Sequence, residues 1–290
     1  MAVSLVLGAS GAVGRFLVPR LLAAGHDVVA VSRTARTSRD PRVRWLTGEL
    51  PHAVPPLADL DAIYSLGPLD AFAAWLEQSR IAGRPRIVAI GSLSVATKES
   101  STDPHERELA ARLSRAEQML AAAANAHGRR STLLRASLIY GAGLDRSLTP
   151  IVRFAERWRV FPVLIGAGGL RQPVHADDLA GACLAVANHP AAARDYDLGG
   201  GERIAFSEML VRVRESLPVA TLPLPMPRLL ARAVSALARQ TRTFAAASAA
   251  ALQRIDENLV VDHAAAVADF GWSPRTFRPR AEDWTPPPLP

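Results

Sequence analysis

The chain has 290 residues, of which 49% are hydrophobic and 21% charged, and its formal net charge at pH 7 is +7. This length suits one large α/β domain, or a nucleotide-binding domain with a small second lobe. Its single cysteine excludes a disulfide framework and a cysteine metal site, so we expect a cytoplasmic protein without an export signal or a membrane span. The basic residues are scattered arginines, which favours attraction of an anionic cofactor or substrate over nucleic-acid binding.

The first segment of the chain combines a strand, a glycine turn and a helix. The apolar run 3–7 predicts a buried strand, and the apolar spacing over 16–22 predicts a helix. Between them, glycines at intervals of three let the backbone turn tightly and let a pyrophosphate approach the amino end of the helix. The alternative is a βα turn that uses glycine only for tightness. We predict a dinucleotide site formed by Gly8, Ser10, Gly11, Ala12, Val13 and Gly14.

The second predicted strand, over 28–31, ends at Ser32 and Arg33. An acid at this position would accept the ribose hydroxyls of NAD, whereas an arginine offers charge and several donors to a 2′-phosphate. Arg33 therefore predicts NADP as the cofactor. Arg15 and Arg36 either assist it or are solvated surface residues.

Further strands are predicted over 42–46, 61–66 and 86–92, with a short helix around 72–76 between the last two. Alternating strands and helices at this spacing predict a Rossmann fold, a doubly wound parallel sheet with helices on both faces and ligands at the carboxyl ends of the strands. We expect a dinucleotide-binding core over 1–140. A substrate lobe follows over 141–290, with 171–200 returning to the core.

The glycine pattern, the segment from Leu134 to Gly141 and the segment from Arg171 to Ala180 resemble the extended or atypical short-chain dehydrogenases/reductases, in the NAD-dependent epimerase/dehydratase family. The most similar branch includes the nucleotide-binding accessory subunit of respiratory complex I. The resemblance implies further cofactor contacts at Glu49, Leu66, Gly67, Ser92, Ala136 and Leu138. It implies a substrate pocket at Tyr140, Arg171 and Gln172. It also implies that His175 and Asp177 brace the fold, and that Asp178 caps a helix beginning at Leu179.

The family's catalytic pair, Tyr-x-x-x-Lys, is missing. On the helix predicted over 106–120, the resemblance puts Ala111 at the tyrosine position and Arg115 at the lysine position. An arginine does not tune its pKa into a useful range, although it still holds a ribose hydroxyl. The candidates to replace this catalytic pair are Ser92 and Ser94, which follow the fifth strand, and Lys98, which lies in a predicted loop. His105 is a further titratable candidate, or a surface residue before the helix.

The second half contains a proline-rich segment at 222–227, which predicts an extended linker, and an alanine-rich segment at 229–252, which predicts a lobe helix or the face of a homodimer. Aromatic and aliphatic residues in the lobe favour a small or apolar substrate over a nucleotide sugar, namely Phe154, Trp158, Phe161 and Leu164.

Two functions remain open. The first is an NADP(H)-dependent oxidoreductase or epimerase-like enzyme acting on a small carbonyl or hydroxyl compound. The second is a non-catalytic NADP-binding redox sensor or assembly protein.

Overall fold

The computed structural model describes residues 1–52, 54, 59–79, 81–99, 101, 103–164, 168–189, 194–226 and 256–289. The first half contains β1 (Val3–Leu7), α1 (Gly14–Ala23), β2 (Asp27–Ser32), β3 (Val43–Thr47), β4 (Ala62–Ser65), α2 (Leu69–Gln78), β5 (Arg86–Ser92), α3 (Ser94–Lys98), α4 (Pro104–Ala126) and β6 (Ser131–Ala136). The second half contains β7 (Ile139–Tyr140), α5 (Thr149–Trp158), β8 (Val160–Leu164), β9 (Leu170–Arg171), β10 (Val174–His175), α6 (Ala176–Asn188), β11 (Tyr196–Leu198), β12 (Ile204–Ala205), α7 (Phe206–Glu215), β13 (Leu222–Met226), α8 (Ala264–Phe270) and a 3₁₀ helix (Ala281–Trp284).

Seven parallel strands form the central sheet, in the order β11-β6-β5-β4-β1-β2-β3. The chain runs outward from β1 to β3 and then returns to the other side of β1 with β4. The strand order therefore reverses between β1 and β4, and the carboxyl ends of these strands meet at one edge. In an open parallel sheet, ligands bind in the crevice at such a reversal. The predicted Rossmann fold is confirmed.

Helices cover both faces of the sheet because its central strands are apolar on both sides. Leu17, Leu21 and Leu179, from α1 and α6, pack on one face. Phe72 and Leu120, from α2 and α4, pack on the other face. A third apolar cluster holds the second lobe together and contains Tyr140, Leu148, Val152, Phe161, Phe206, Met209, Phe277 and Trp284. In the described residues, no helix has the length and hydropathy needed to cross a membrane.

The proline-rich segment is a paired strand, so the prediction of a linker is wrong. β13 pairs in parallel with β8, and the N–H of Leu222 donates to the carbonyl of Arg159 at 2.8 Å. Pro223 and Pro225 alternate with residues that keep their N–H groups, so one edge of the strand remains able to pair. The helix predicted over 229–252 lies outside the described residues.

Candidate dinucleotide site

The glycine turn connects β1 to α1 at the point where the strand order reverses. Gly8 has φ +87°, and the N–H of Gly11 donates to its carbonyl at 2.9 Å. A Cβ on Gly14 would lie 2.5 Å from the carbonyl oxygens of Gly8 and Ala9. α1 begins here without a side-chain cap, so the amino end of its dipole faces the open edge of the sheet, while the N–H groups of Arg15, Phe16 and Leu17 donate to the carbonyls of Gly11 and Val13. The turn thus offers a cradle for an anion.

The end of β4 lies directly against this turn. A Cβ on Gly8 would come within 3.2 Å of the backbone carbon of Leu66 and 3.3 Å of the nitrogen of Gly67. The N–H of Leu66 donates to the carbonyl of Leu7 at 2.9 Å, which fixes the two strand ends together. The structure therefore brings Leu66 and Gly67 beside the glycines. Their contact with a cofactor remains a prediction.

Arg36, which follows β2, and Arg15, on the first turn of α1, lie close enough for their charges to interact beside the glycine turn. The Arg36 Nε donates to Ser32 Oγ at 3.0 Å, and its guanidinium lies 5.8 Å from the centre of the Trp45 ring. The Arg15 Nε donates to the carbonyl of Ser10 at 3.2 Å. Partial burial, and then the positive charge of Arg36, lower the pKa of Arg15. Two cations that repel one another at this position form an attractive site for an anion.

Arg33 and Glu49 lie further out on the same side. The two side chains are 81% and 66% exposed, and the Arg33 Nη1 is 4.0 Å from the Glu49 Oε1. Such an exposed pair contributes little to stability and leaves both groups free to reorient toward a ligand. Arg15 also donates to the carbonyl of Pro287, so the carboxyl-terminal tail reaches the glycine turn. No pattern in the sequence indicates that contact.

The end of β5 carries the two predicted serines. Ser92 pairs with Ala136 on β6. Its hydroxyl donates to Ser94 Oγ at 3.0 Å and accepts from the Ser94 N–H at 3.2 Å. The predicted cofactor contact Leu138 follows β6, and its carbonyl accepts from Val174 at 2.8 Å. Ser92, Ser94 and Ala136 therefore lie together at the carboxyl edge of the sheet.

Lys98 lies on the short helix α3, so the prediction of a loop over these residues is wrong. Its Nζ is 3.1 Å from the Glu106 Oε1 on α4, and the two side chains are 17% and 10% exposed. The Ser101 hydroxyl donates to the Glu106 Oε2 at 2.7 Å. This cluster joins α3 to the start of α4, immediately beyond the end of β5.

Ala111 and Arg115 lie on the exposed side of α4, whereas Ala110, Ala116 and Leu120 are buried. Arg115 lines a surface groove of about 390 Å³ that also contains Asp70, His105, Glu108, Leu109, Arg112, Ala116 and Met119. The apolar stripe of a helix determines which of its faces packs on the sheet. Positions 111 and 115 lie outside the stripe of α4. A role of Arg115 in holding a ribose stays a prediction.

The three tyrosines of the chain do not replace the missing catalytic tyrosine. Burial raises the pKa of Tyr64 and that of Tyr140 above the ordinary value. Burial, followed by a hydrogen bond to Asp269, also raises the pKa of Tyr196. A tyrosine that exchanges a proton near neutral pH needs a lowered pKa. An acid or base for this site would therefore have to be another group.

The residues predicted to form a substrate pocket are buried and engaged in packing. Tyr140 is 1% exposed and makes edge contacts with the rings of His175 and Phe277. The Arg171 Nη1 donates to the carbonyl of Glu257 at 2.6 Å, and Gln172 donates to the carbonyl of Gly200 at 3.0 Å. These side chains hold distant segments of the lobe together. Their contact with a substrate stays a prediction that the observed burial does not favour.

The helix after β10 begins at Ala176 rather than Leu179, and its cap is His175 rather than Asp178. The His175 Nδ1 accepts from the N–H of Asp177 at 3.0 Å, and its Nε2 lies 3.1 Å from the Asp283 Oδ1. Asp178 instead accepts from the Arg275 Nε at 2.9 Å. The predicted cap is wrong because Arg275, far along the chain, takes its carboxylate.

The apolar residues predicted to shape the substrate pocket differ in their exposure. Phe161 is buried in the lobe core, while Phe154 and Trp158 are 44% and 64% exposed on α5. The side chain of Leu164 lies outside the described residues. The preference for an apolar substrate stays a prediction.

Comparison with known proteins gives a family match and a set of similar structures. The model of the NAD dependent epimerase/dehydratase family matches residues 4–78 and 72–199, which is more than half of the chain. None of the curated proteins matches the sequence.

Three of the similar structures illustrate the likeness. A dTDP-glucose 4,6-dehydratase from Bacillus anthracis, in complex with NAD, is 13% identical, with a TM-score of 0.66 over 98% of this chain and 94% of that one. A UDP-glucuronic acid 4-epimerase from Bacillus cereus, in complex with UDP-glucuronic acid and NAD, is 11% identical, with a TM-score of 0.66 over 97% and 96%. A UDP-glucose 4-epimerase from Thermotoga maritima, with UDP-glucose, is 13% identical, with a TM-score of 0.66 over 97% and 96%. At these identities the likeness shows the fold.

Proposed function

The chain belongs to the NAD dependent epimerase/dehydratase family, and we propose that it binds NADP(H) and serves as an oxidoreductase or epimerase-like enzyme on a small carbonyl or hydroxyl compound. The glycine turn fits a pyrophosphate, because no side chain caps the start of α1 and the amino end of its dipole favours negative charge beside the glycines. The cofactor would then extend along the carboxyl edge of the sheet, from the end of β2 to the end of β5.

The observation that supports NADP over NAD is the pair of arginines formed by Arg36, which follows β2, and Arg15, on α1. Arg36 is held by Ser32 and Trp45, and its charge lowers the pKa of Arg15 after the larger effect of burial. A 2′-phosphate placed between the two guanidiniums would remove their repulsion and would accept several charge-assisted hydrogen bonds. The dehydratase from Bacillus anthracis and the epimerase from Bacillus cereus are in complex with NAD. In this chain, Ser32 and Arg33 offer no carboxylate to the ribose hydroxyls.

When bound, the dinucleotide supplies or accepts a hydride. The protein's own contribution is to position the substrate and to stabilise the charge on its oxygen. Ser92 and Ser94 are hydrogen-bonded to one another at the end of β5, and they can donate to a carbonyl oxygen placed there. A sugar nucleotide, as in the similar epimerase from Bacillus cereus, and a smaller compound both remain within this proposal.

A titration of the purified protein with NADPH and with NADH, followed by nicotinamide fluorescence, tests the proposal. We expect NADPH to bind at least about tenfold more tightly than NADH, and Arg36→Ala to remove most of that difference, since a charge-assisted pair contributes about 1.5–3 kcal/mol. Arg33→Ala should have a smaller effect because its side chain is exposed. Arg44→Ala, an exposed arginine on β3, is the matched control. Equal affinities for NADPH and NADH would refute the NADP assignment, and binding of neither would refute the cofactor site.

A second candidate function is a non-catalytic NADP-binding protein, a redox sensor or an assembly factor. It is favoured by the exposed positions of Ala111 and Arg115, which leave α4 without the family's catalytic pair. Both candidates predict the same binding curves. Turnover of NADPH with a panel of aldehydes, ketones and nucleotide-sugar ketones separates them, because the non-catalytic protein would bind NADPH and oxidise it with none of these compounds.

A further inference from the structure

Lys98 is the only lysine of the chain, whereas every other residue of the Lys and Arg group is an arginine. We propose that Lys98 is the catalytic cation of this site, that its ammonium contacts the reacting oxygen of the substrate, and that Glu106 and Ser101 position it. The inference rests on the proposed function, because it assigns a residue to the same reaction. It would explain how the site works without the family's tyrosine and lysine.

The topology places Lys98 at the correct edge of the sheet. β1, β4, β5 and β6 are adjacent and parallel, so their carboxyl ends lie side by side. α3 begins two residues after Ser92, the last residue of β5. The N–H of Leu93 donates to the carbonyl of Ala136 at 3.2 Å, which anchors this exit to the end of β6. A dinucleotide whose pyrophosphate lies at Gly8 and Gly11 would bring its nicotinamide toward these strand ends.

The surroundings of Lys98 hold its ammonium in one place. Glu106 lies 3.1 Å away and is itself fixed by the Ser101 hydroxyl at 2.7 Å. With side chains 17% and 10% exposed, the pair is shielded from solvent, yet the lysine retains a small accessible surface. Glu106 offsets much of the net charge of Lys98, so the ammonium acts on a developing oxyanion chiefly as a positioned hydrogen-bond and proton donor, which needs no reorganisation during the reaction.

The presence of a lysine at position 98, where an arginine would also form the ion pair, is a second argument for a catalytic role. Among the described residues, the other ion pairs use arginine or, once, histidine, as in the pairs of Arg20, Arg135 and Arg275. A purely structural pair between α3 and α4 would be served equally well by an arginine. A lysine offers a compact ammonium that can release a proton, whereas a guanidinium stays charged in proteins.

The reaction step balances in the reducing direction as follows. The reduced nicotinamide dinucleotide gives a hydride, a proton with two electrons, to the carbonyl carbon, and the carbonyl π electrons move to the oxygen. That oxygen takes a proton from the Lys98 Nζ and becomes a hydroxyl, while the dinucleotide is oxidised. The neutral amine then regains its proton from water through its accessible surface. In the oxidising direction each transfer is reversed.

The single lysine allows a test that does not depend on turnover. The chain has two amines, Lys98 and the α-amino group of Met1, which is on a residue 92% exposed. Trace acetylation of the full-length protein, read by mass spectrometry, gives both rates in one sample, so Met1 is the internal control. We expect saturating NADPH to slow acetylation of Lys98 at least fivefold and to leave Met1 unchanged. Glu106→Gln should accelerate acetylation of Lys98 in the free protein, because the amine is then released from its partner.

The outcomes separate this proposal from the one on which it rests. Fluorescence that shows NADPH bound, without protection of Lys98, overturns the role of Lys98 alone. Absence of NADPH binding overturns the proposed function and the role of Lys98 with it.

Variants test the same role once a substrate is found. Lys98→Met should lower kcat at least 100-fold and leave the Kd for NADPH within threefold, and Lys98→Arg should fail to restore kcat. Arg84→Met removes an exposed cation before the opposite end of β5 and is the matched control. If Lys98→Arg restores full activity, or if the loss in Lys98→Met follows only a lowered Tm, the lysine has a structural role and the proposal is wrong.

Discussion

The glycine turn makes a quantitative prediction for the substitution Gly14→Ala. An added Cβ would lie 2.5 Å from two backbone oxygens, those of Gly8 and Ala9, whereas ordinary contact begins at 3.4 Å. The overlap is therefore about 0.9 Å by the difference of these two distances. Both neighbours are main-chain atoms, so they cannot rotate away as a flexible side chain would. The turn must open, and the cradle for the pyrophosphate is lost with it.

The expected loss of stability follows from the cost of overpacking. Inserting a carbon into a well-packed site costs about 1–3 kcal/mol, and this site lies at the upper end because two fixed atoms are displaced. For a chain of this size, 1 kcal/mol shifts Tm by roughly 2 °C, which predicts a fall of about 6 °C. The Kd for NADPH should rise beyond the measurable range, because the backbone contact exists only in the closed turn.

Gly181→Ala is the matched control, since it makes the same chemical change in helix α6. A Cβ there would meet nothing within 4 Å, and the position has an ordinary helical φ. Alanine is favoured over glycine in a helix by about 1 kcal/mol, so Tm should rise by roughly 2 °C. Circular dichroism melts of the two variants and the unmodified protein give the comparison. If Gly14→Ala melts at or above the temperature of the unmodified protein, the account of the turn is refuted.

Two further groups give separate predictions. Burial acts to raise the pKa of Asp177, but hydrogen bonds from Arg275 and Arg20 outweigh it and leave the pKa below its ordinary value. The resulting stability is present above about pH 4 and is lost as the pH falls further, so Asp177→Asn should lower the free energy of unfolding by about 1–2 kcal/mol at pH 7 and by little at pH 3 in urea titrations. An equal loss at both pH values would show that the charge is not responsible. Burial raises the pKa of the Cys183 thiol to about 12; a thiol reagent at pH 8 should therefore modify it at least about 1,000-fold more slowly in the native protein than in guanidinium, and rapid native labelling would contradict the observed burial.

The nucleotide-binding half could be read from the sequence because its signals are local. The apolar run 3–7, the three glycines and the helical spacing after them lie within one short stretch, and each predicts the same unit. The alternation of strands then leaves few topologies for a parallel sheet. The end of β2 was also predicted at Ser32, and the structure ends the strand there, while the role of Arg33 toward a cofactor stays a prediction.

The lobe was harder to predict because its interactions connect distant residues. Arg171 and Gln172 look like cleft residues in the sequence, yet their partners include the backbone groups of Glu257 and Val261. Asp178 looks like a helix cap, but Arg275 takes its carboxylate. Each polar residue had a plausible local role, and a partner 86 to 97 positions away overrode it. Sequence spacing carries no information on such pairs.

Helix α4 shows how the packing of a fold can disfavour a role that a sequence motif predicts. The segment from Ser114 to Glu117 resembles the tail of the family's catalytic helix, and this places Arg115 at the lysine position. The apolar stripe through Ala116 and Leu120 turns that position outward, and the packing energy of a long helix outweighs any advantage of one polar contact. With α4 so oriented, and with the three tyrosines made less acidic, the groups that we propose for the chemistry come from the exit of β5. Ser92, Ser94 and Lys98 are those groups, and a search for the chemistry of this protein should begin with them.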